Sequence, residues 1–405
     1  MELARLVCRY AERFAGLGGD EHQVGSPLGA WLVLALAAPT ADGALREEIT
    51  DALGTDVADA QRLVADLLKR PNEAVSAALA AWSGPGFNGL DAWLGELPAA
   101  VTTGEVPTQQ EADQWAHDHT LGLINRFPID TQGVLILLAS ALATRVTWLR
   151  PFDLVDGTEL RGSWGQQLTR TLHAPADLGH TTSIIATDRA GTVAVHTALA
   201  DAGLQVTSVI AAADVPRADV LAVGHDIATA HTSGGIGSSV SLFALPLGDS
   251  PLWTITERDA PAGGEQVEAV LPAWSVESKH DLLTVPSLAF GAAARSLQKL
   301  AQVDGPIEAA QSAVARFTRR GFEAAAVTAL GVDLSARMPP PPGPYRTATV
   351  RFAHPYAVIA TTRAAATDPW DGLPVFAAWI TRPDDVSAGD RPSGDGADPS
   401  SRRVI

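Results

Sequence analysis

The order in which helical and strand patterns occur limits the fold of this chain more than any single motif does. Apolar residues recur at helical spacing near the start of the chain, as at Leu3, Leu6 and Tyr10. From about residue 190 to 275 the pattern changes to short β-type runs separated by Gly, Pro and Asp. Residues 134–146 are almost continuously apolar, which favours a strand buried on both faces. Because strands and helices do not alternate regularly, the sequence predicts an α+β fold.

Composition and charge narrow the classes of function. The chain has 405 residues, 46% of them apolar, which is enough to bury a sizeable core. The net charge of −17 disfavours a nucleic-acid binder and attachment to an anionic membrane surface. No apolar run approaches the ~18 residues of a spanning helix. Cys8 is the only cysteine, which excludes an intramolecular disulfide and a thiolate metal cluster. We therefore expect a monomer with no nucleic-acid or membrane partner, no metal and no cofactor.

The two ends of the chain differ in character. The first residues form an amphipathic helical pattern with charges throughout, and they lack the uninterrupted apolar core of a signal peptide. This predicts a cytoplasmic protein. Residues 384–405 are rich in Pro, Ser, Gly and Asp, which predicts a disordered tail after a single domain over residues 1–383.

Motifs for catalysis are weak. No G-x-S-x-G elbow is present, and the glycine-rich residues 234–239 lack the Lys-Ser/Thr that a phosphate loop needs. His117 and His119 are two residues apart in a helical pattern and therefore lie on different sides of that helix. The sequence does not predict an enzyme.

Residues 321–331, GFEAAAVTALG, carry more information than these motifs do. In isolation the segment is equally compatible with a short alanine-rich helix between two glycines. With a period of two, its residues separate into two faces, both composed mainly of small side chains. Such a segment fits between existing strands without forcing them apart. Residues 331–349 are too rich in proline for a helix or a central strand, so we predict a segment that is loop or strand depending on its state.

This combination resembles the hinge and reactive-centre loop of the serpins, the serine protease inhibitor family. Five further blocks resemble serpin segments in the correct order. They are residues 24–54 with Ser26, Pro27 and Leu28 matching, residues 113–124, residues 135–153, residues 271–282, and the final pair of strands within residues 350–383. The likeness extends to about Pro383 and is weakest between residues 156 and 266. The chain is thus similar to a divergent, bacterial-type serpin.

The resemblance implies a single domain of about nine helices around three β-sheets, with a reactive-centre loop over residues 321–349. It implies that a serine or cysteine endopeptidase cleaves this loop as a suicide substrate. The cleaved loop then inserts into the central sheet and traps the acyl-enzyme, driven by free energy stored in the intact fold. The implied partner is a target protease, and an extracellular location also agrees with the family. A serpin-fold protein that binds partners without inhibiting a protease is the alternative.

Site residues follow from the resemblance residue by residue. The hinge comprises Gly321, Phe322, Glu323, Ala324, Ala325, Ala326 and Thr328. Counting from Gly321 places the reactive bond between Ser335 and Ala336, and the bond between Arg337 and Met338 is its rival. Counting back from Pro355 lands near Pro344, so the loop is about nine residues longer than usual. The shutter beneath the central sheet comprises Ser26, Ser140 and Gln311.

Several of these residues depart from the family pattern. Phe322 stands where the family has a small residue, and burying its bulk on insertion is expected to cost ~1–3 kcal/mol. On this basis Phe322→Thr is expected to leave inhibition intact or make it faster. Ser140 and Gln311 replace an Asn and a His; the two replacements can still hydrogen-bond to each other, but the network is not that of the family. Arg319 and Arg320 stand where an acidic pair is common. These departures support the non-inhibitory alternative.

Overall fold

The computed structural model describes residues 2–84, 88–174, 176, 179–230, 238–303, 308–322 and 342–386. Nine α-helices lie within these ranges: α1 Glu2–Phe14, α2 Pro27–Ala37, α3 Gly43–Leu53, α4 Val57–Leu68, α5 Asp91–Glu96, α6 Gln109–His119, α7 Gly162–Gly165, α8 Arg217–Ala230 and α9 Phe290–Ala301. None of these helices combines the length and the apolar character needed to cross a membrane.

The strands of the same ranges are mostly in the second half of the chain. They are β1 Gln23–Gly25, β2 Val75–Ser83, β3 Val101–Glu105, β4 Ile136–Thr144, β5 Val146–Thr147, β6 Asp153–Asp156, β7 Arg170–Ala174, β8 His180–Thr187, β9 Gly191–Leu199, β10 Leu204–Ile210, β11 Ser238–Ser239, β12 Gly248–Asp249, β13 Trp253–Ala260, β14 Gly264–Leu271, β15 Trp274–Asp281, β16 Ala310–Phe317, β17 Gly321–Phe322, β18 Gly343–Arg351, β19 Tyr356–Thr362 and β20 Pro374–Ile380.

These strands form three layers of sheet, one of which is split. The seven-stranded sheet has the order β1-β20-β19-β10-β9-β8-β11, and the six-stranded sheet has the order β12-β13-β18-β14-β7-β6. Two smaller sheets, β3-β2-β4 and β15-β16-β17-β5, are joined through the chain because β5 follows β4 after a single residue. We treat them as the two halves of one central sheet.

Helix α2 lies at the centre of the fold. Its residues are apolar on every side, and Leu28, Trp31 and Leu32 are completely buried. A helix without a polar face is stable only when it is surrounded by other elements, here α1, α4, α9, β4 and β20. The helix begins where the Ser26 hydroxyl accepts a hydrogen bond from the Gly29 amide (3.0 Å) and Pro27 occupies the first turn. The core of the molecule therefore presses directly against the split sheet.

The α+β prediction is confirmed, and the apolar residues 134–146 form β4 and β5 as expected. Strands β2 and β3 were missed, since the first part of the chain was interpreted as mostly helical. The sequence of β2, VSAALAAWS, is rich in alanine, which favours a helix by local propensity. Its position between β3 and β4 overrides that preference, because pairing on both edges provides hydrogen-bond partners for its backbone N–H and C=O groups.

The predicted loop boundary at residue 349 is wrong, because residues 343–349 belong to β18 inside the six-stranded sheet. Proline is tolerated here since Pro344 is only the second residue of the strand, where a missing N–H is least disruptive.

The boundary between the domain and the C-terminal tail also differs from the predicted one at residue 383. The amide of Asp384 donates to the carbonyl of Ala273 (2.8 Å), and Val386 is buried in the core. The chain is thus packed as far as Val386, and residues 387–405 lie outside the described ranges.

A buried histidine on α8 predicts acid sensitivity. His225 is 3% exposed, and its Nδ1 has no hydrogen-bond partner among the described residues. Burial lowers the pKa of His225 from 6.5 to about 4, so the folded state favours the neutral ring. The unfolded state binds the extra proton below pH 6.5, and the free energy of unfolding should fall by about 3 kcal/mol between pH 6.5 and 4.

Thermal midpoints of the parent chain and of His225→Leu, measured stepwise from pH 7.5 to 4, test this expectation. The parent should lose stability across that window, and the variant should lose markedly less. Other histidines with lowered pKa, such as His196 and His280, contribute to the loss of stability in both proteins, so the difference between parent and variant isolates His225. Parallel pH profiles of parent and variant would contradict the assignment.

Candidate functional site

The central sheet is open between β4 and β16. Within the described residues these two strands are not paired, and they are connected only at one end, where β17 lies between β16 and β5. Below that connection lies a cavity of about 330 Å³. We call this gap between β4 and β16 the slot. Among the described residues, its facing strand edges have no strand partner, and such edges are a template for one more strand.

The slot has an inner and an outer wall, both largely apolar. Ala30 and Val33 of α2 form part of the inner wall, and Trp115 and Ala116 of α6 cover it from outside. Phe127, in the segment that follows α6, extends the outer cover. Alternate residues of β4 face the two walls, as expected for an extended strand. A strand entering the slot would therefore be enclosed on both faces.

We call β17 the seed strand, because it occupies the upper end of the slot. Phe322 is aligned with Phe317 on one side and with Val146 on the other. Its ring is 3% exposed and meets the indole of Trp274 edge-on at 6.2 Å between ring centres. From the sequence, the burial of Phe322 is expected to be a cost of insertion. In the structure Phe322 is already buried, so insertion would not carry this cost.

A network of main-chain hydrogen bonds holds the turn before the seed strand. The backbone N–H of Trp148 donates to the carbonyl of Arg320 (2.9 Å), and its indole N–H donates to the carbonyl of Thr318 (2.9 Å). The backbone N–H of Phe152 donates to the carbonyl of Arg319 (3.0 Å). In return, Nε of the Arg319 side chain donates to the carbonyl of Phe152 (3.1 Å). The Arg319 side chain thus helps to anchor the turn through the carbonyl of Phe152.

Two buried histidines beneath this turn were not found by the sequence analysis. The Nε2–H of His180 donates to the carbonyl of Arg150 (2.8 Å), so its Nδ1 accepts from Nε2 of His196 (3.2 Å). Burial and the neighbouring His180 lower the pKa of His196 well below its ordinary value. The ring of Phe152 lies 4.4 Å from that of His180. These histidines are sixteen positions apart on a hairpin, so no local sequence signal connects them.

The structure brings two of the three predicted shutter residues together. The amide oxygen of Gln311 accepts from the Ser26 backbone N–H (2.8 Å), and the amide nitrogen donates to the Ser26 carbonyl (3.0 Å). The Ser26 hydroxyl donates to the carbonyl of Val375 (2.7 Å). Ser140 lies across the slot on β4. No hydrogen bond connects Ser140 with Gln311 in the described part of the chain, because Gln311 uses its amide on Ser26 instead.

Gly29 explains the position of Ser140. A Cβ atom built on Gly29 would lie 2.9 Å from the Ser140 hydroxyl oxygen and 3.0 Å from a methyl group of Leu142. A larger residue at position 29 would therefore require the side chains of Ser140 and Leu142 to shift. The glycine in α2 and the serine in β4 are complementary in size.

The remaining predicted site residues lie outside the described ranges. They are Glu323, Ala324, Ala325, Ala326 and Thr328 of the hinge, and the two candidate reactive bonds, Ser335-Ala336 and Arg337-Met338. Their roles stay predictions.

Removing the Gln311 side chain should weaken the fold. Gln311→Ala leaves the buried N–H of Ser26 without a partner, although the Ser26 carbonyl still accepts from the Ala30 amide, and an unsatisfied buried group costs ~1–3 kcal/mol. We expect a lower thermal unfolding midpoint for the uncleaved protein. Ser312→Ala, at the next position of β16 and without a hydrogen bond of this kind in the described ranges, is the matched control. Equal midpoints for the two variants would show that the Ser26–Gln311 pair contributes nothing.

Comparison with known proteins identifies the fold. No family model matches the chain, and no curated protein matches its sequence. Among solved structures, Serpin48 of the insect Tenebrio molitor superimposes with a TM-score of 0.58 at 16% identity, covering 95% of this chain and 98% of that one. The thermophilic serpin tengpin in its native state gives 0.59 at 14% identity, with 94% and 92% covered. Human thyroxine-binding globulin complexed with thyroxine gives 0.62 at 14% identity, with 95% and 100% covered. The chain therefore has the serpin fold, which confirms the resemblance noted in the sequence.

Proposed function

We propose that this protein inhibits serine or cysteine endopeptidases, with serine proteases the more favoured targets, by loop cleavage, acyl-enzyme trapping and insertion of the loop into the central sheet. One observation carries the proposal. The slot is open, and the seed strand at its upper end leads directly into the small-residue segment at residues 323–331. The protease supplies all catalytic groups, so the inhibitor needs none of its own.

The pairing of the seed strand sets the register of insertion. If the strand continues in that register, every second residue faces α2, and each lies between one residue of β4 and one of β16. The resulting triplets are Ala324 with Thr144 and Ala315, Ala326 with Leu142 and Ala313, and Thr328 with Ser140 and Gln311. In this register Ala324 and Ala326 would pack against the most crowded part of the core. The Thr328 hydroxyl would lie beside the shutter residues Ser140 and Gln311.

The slot stores free energy that insertion would release. Filling a core cavity recovers ~24 cal/mol per Å³, so filling 330 Å³ gives an upper value of about 8 kcal/mol. Each new backbone hydrogen bond to β4 or β16 adds a net ~0.5–1.5 kcal/mol. Insertion on this scale makes the cleaved form much more stable than the intact one. It is large enough to compete with deacylation of a trapped protease.

The length of the cleaved segment agrees with the length of the slot. In the seed register, Val332 would reach Ile136, the first residue of β4. Cleavage after Ser335 or after Arg337 frees the chain beyond that point, so the slot is filled from top to bottom in either case. We keep both bonds as candidates.

Incubation with trypsin-, chymotrypsin-, elastase- and subtilisin-like proteases tests the proposal. We expect a band at the summed mass that survives denaturing electrophoresis, and mass spectrometry of the released fragment identifies the bond. The cleaved protein should also unfold at a higher temperature than the intact protein. Cleavage without a stable complex and without a higher midpoint would overturn the proposal and favour the serpin-fold interaction protein.

A further inference from the structure

Residues 243–247, with the sequence FALPL, form an exposed apolar segment at one end of the six-stranded sheet. Phe243 and Leu247 are 44% and 51% exposed, and the residues between them are exposed or half-buried. We call residues 243–247 the apolar patch. A continuous run of exposed apolar residues is a feature of binding surfaces, whereas single exposed apolar residues are ordinary.

Charged side chains from two strands fix the backbone of the apolar patch. Glu265 of β14 accepts a hydrogen bond from the backbone N–H of Leu242 (2.8 Å), whose side chain is completely buried. The guanidinium of Arg346 in β18 donates to the carbonyls of Leu242 (2.6 Å) and Leu245 (3.0 Å). It also lies 4.8 Å from the centre of the Phe243 ring, a cation–π contact. The patch is thus held in a defined position while its apolar side chains remain in contact with water.

The apolar patch lies beside the point where the reactive-centre loop joins the sheet. Gly343 is the first residue of β18, and Arg346 follows three residues later, about 10 Å along the strand. Arg346 shares a face of β18 with Ala348 and Val350, which are completely buried. The patch therefore covers the end of that buried face nearest to Gly343. A protein that binds the loop comes close to Phe243.

The composition of the apolar patch fits a protein partner. A stable interface of standard size uses ~20–30 residues on each side, which is more than a scissile bond and its neighbours supply. Additional surface beside the loop is therefore needed for tight binding. Aromatic residues and arginine are enriched in such interfaces, and the Phe243 ring on the Arg346 guanidinium combines both.

We propose that the apolar patch is a second contact for the target protease, which places an apolar region of its surface, outside its active-site cleft, on Phe243 and Leu247. This inference rests on the proposed inhibitory function. Burial of the two side chains lengthens the life of the encounter complex, so that more encounters lead to cleavage of the loop. The patch does not line the slot, so it affects how fast a protease is captured and not how the cleaved loop inserts.

Kinetics of inhibition test the apolar patch. The measured quantity is the second-order rate constant for the protease that the parent traps fastest, chosen from trypsin-, chymotrypsin-, elastase- and subtilisin-like enzymes. The double variant Phe243→Ser with Leu247→Ser should react about tenfold more slowly than the parent. Phe243→Leu keeps an apolar side chain and should lose less than threefold. Leu121→Ser, which removes a comparably exposed leucine after α6, is the matched control and should react as the parent does.

Two further readouts exclude an indirect effect on the fold or on insertion. The unfolding midpoint of the intact double variant should equal that of the parent, and so should the fraction of cleaved molecules that hold a trapped protease. A lower trapped fraction in the double variant would show that the patch acts on insertion, which would overturn the proposal. Sedimentation of the parent as a dimer and of the double variant as a monomer would also overturn it, because the patch would then bind a second copy of this chain.

The same experiment separates failure of the patch from failure of the inhibitory function. If the parent and the double variant trap the protease at equal rates, only the second contact is wrong. If the parent cleaves without trapping any protease of the panel, the inhibitory function is wrong, and the second contact falls with it.

Discussion

Thr328→Arg is expected to abolish trapping of a protease and to leave cleavage of the loop unchanged. If the cleaved loop inserts as proposed and continues in the seed register, position 328 would lie between Ser140 and Gln311 and face α2. A guanidinium placed there has no acidic partner among the described lining residues at that level, and burying an unpaired charge costs several kcal/mol. That penalty opposes most of the ~8 kcal/mol available from the slot. Deacylation should then proceed before the protease is distorted.

Two measurements on one set of samples check this result. Denaturing electrophoresis should show the covalent complex reduced at least tenfold, with cleaved chain in its place. The unfolding midpoint of the intact protein should stay at the parent value, since an arginine in the uncleaved loop replaces nothing in the described core. Thr328→Ser keeps a hydroxyl of similar size and is the matched control, expected to trap as the parent does. If Thr328→Arg traps as well as Thr328→Ser, insertion in this register is not how the protein works.

The sequence predicts the fold well because the evidence for it is spread over many local blocks. Ser26 and Pro27 identify the start of the central helix by chemistry that does not depend on the rest of the molecule, a helix cap followed by a first-turn proline. Residues 134–146 identify a buried strand because their apolar run has no period. Six such blocks in one order point to one architecture even at 12–16% identity to the solved structures.

The parts that could not be predicted depend on contacts between distant segments. The size of Phe322 alone suggests that its burial is unfavourable. Whether this burial stabilises or destabilises the fold depends on whether Trp274 and Phe317 already surround the ring. The sequence near position 322 contains no information about those contacts. Ser140 and Gln311 stand at paired positions of the family, and their side chains are chemically able to hydrogen-bond to each other. The gap between β4 and β16 separates them, and Gln311 satisfies its amide on Ser26 instead.

Strand β18 shows a third kind of limit. The prolines at and before the start of this strand, Pro339 to Pro342 and Pro344, predict an exposed loop up to residue 349. Judged from these residues alone, a loop is the only structure that the sequence indicates. The structure differs because β13 and β14 provide partners on both edges once the prolines end, and residues 345–351 are good strand formers. A strand that gains its stability from two partners far away in the chain leaves little trace in its own sequence.

Phe322→Ala is expected to lower the unfolding midpoint of the intact protein strongly and to free the hinge. The Phe322 ring packs against Trp274 and lies beside Phe317 and Val146, so its truncation removes core contacts worth ~3–5 kcal/mol. Because the seed strand consists of only two residues, loss of this ring should also release it from the slot. The expectation is opposite to the one from sequence, in which a small residue at this position was favourable.

Limited proteolysis followed by mass spectrometry distinguishes release of the hinge from general weakening of the core. New cuts should appear between residues 318 and 324 in Phe322→Ala. Phe376→Ala, which truncates a similarly buried phenylalanine of β20 that does not line the slot, should lower the midpoint without producing those cuts. Since Phe322 stays buried after insertion, its loss lowers the midpoints of intact and cleaved protein alike and leaves the rise on cleavage in place. Thr328→Arg removes that rise and leaves the intact midpoint unchanged. The two variants therefore report separately on the seed strand and on the strand that follows it, and an unchanged midpoint in Phe322→Ala would show that the seed strand is not part of the core.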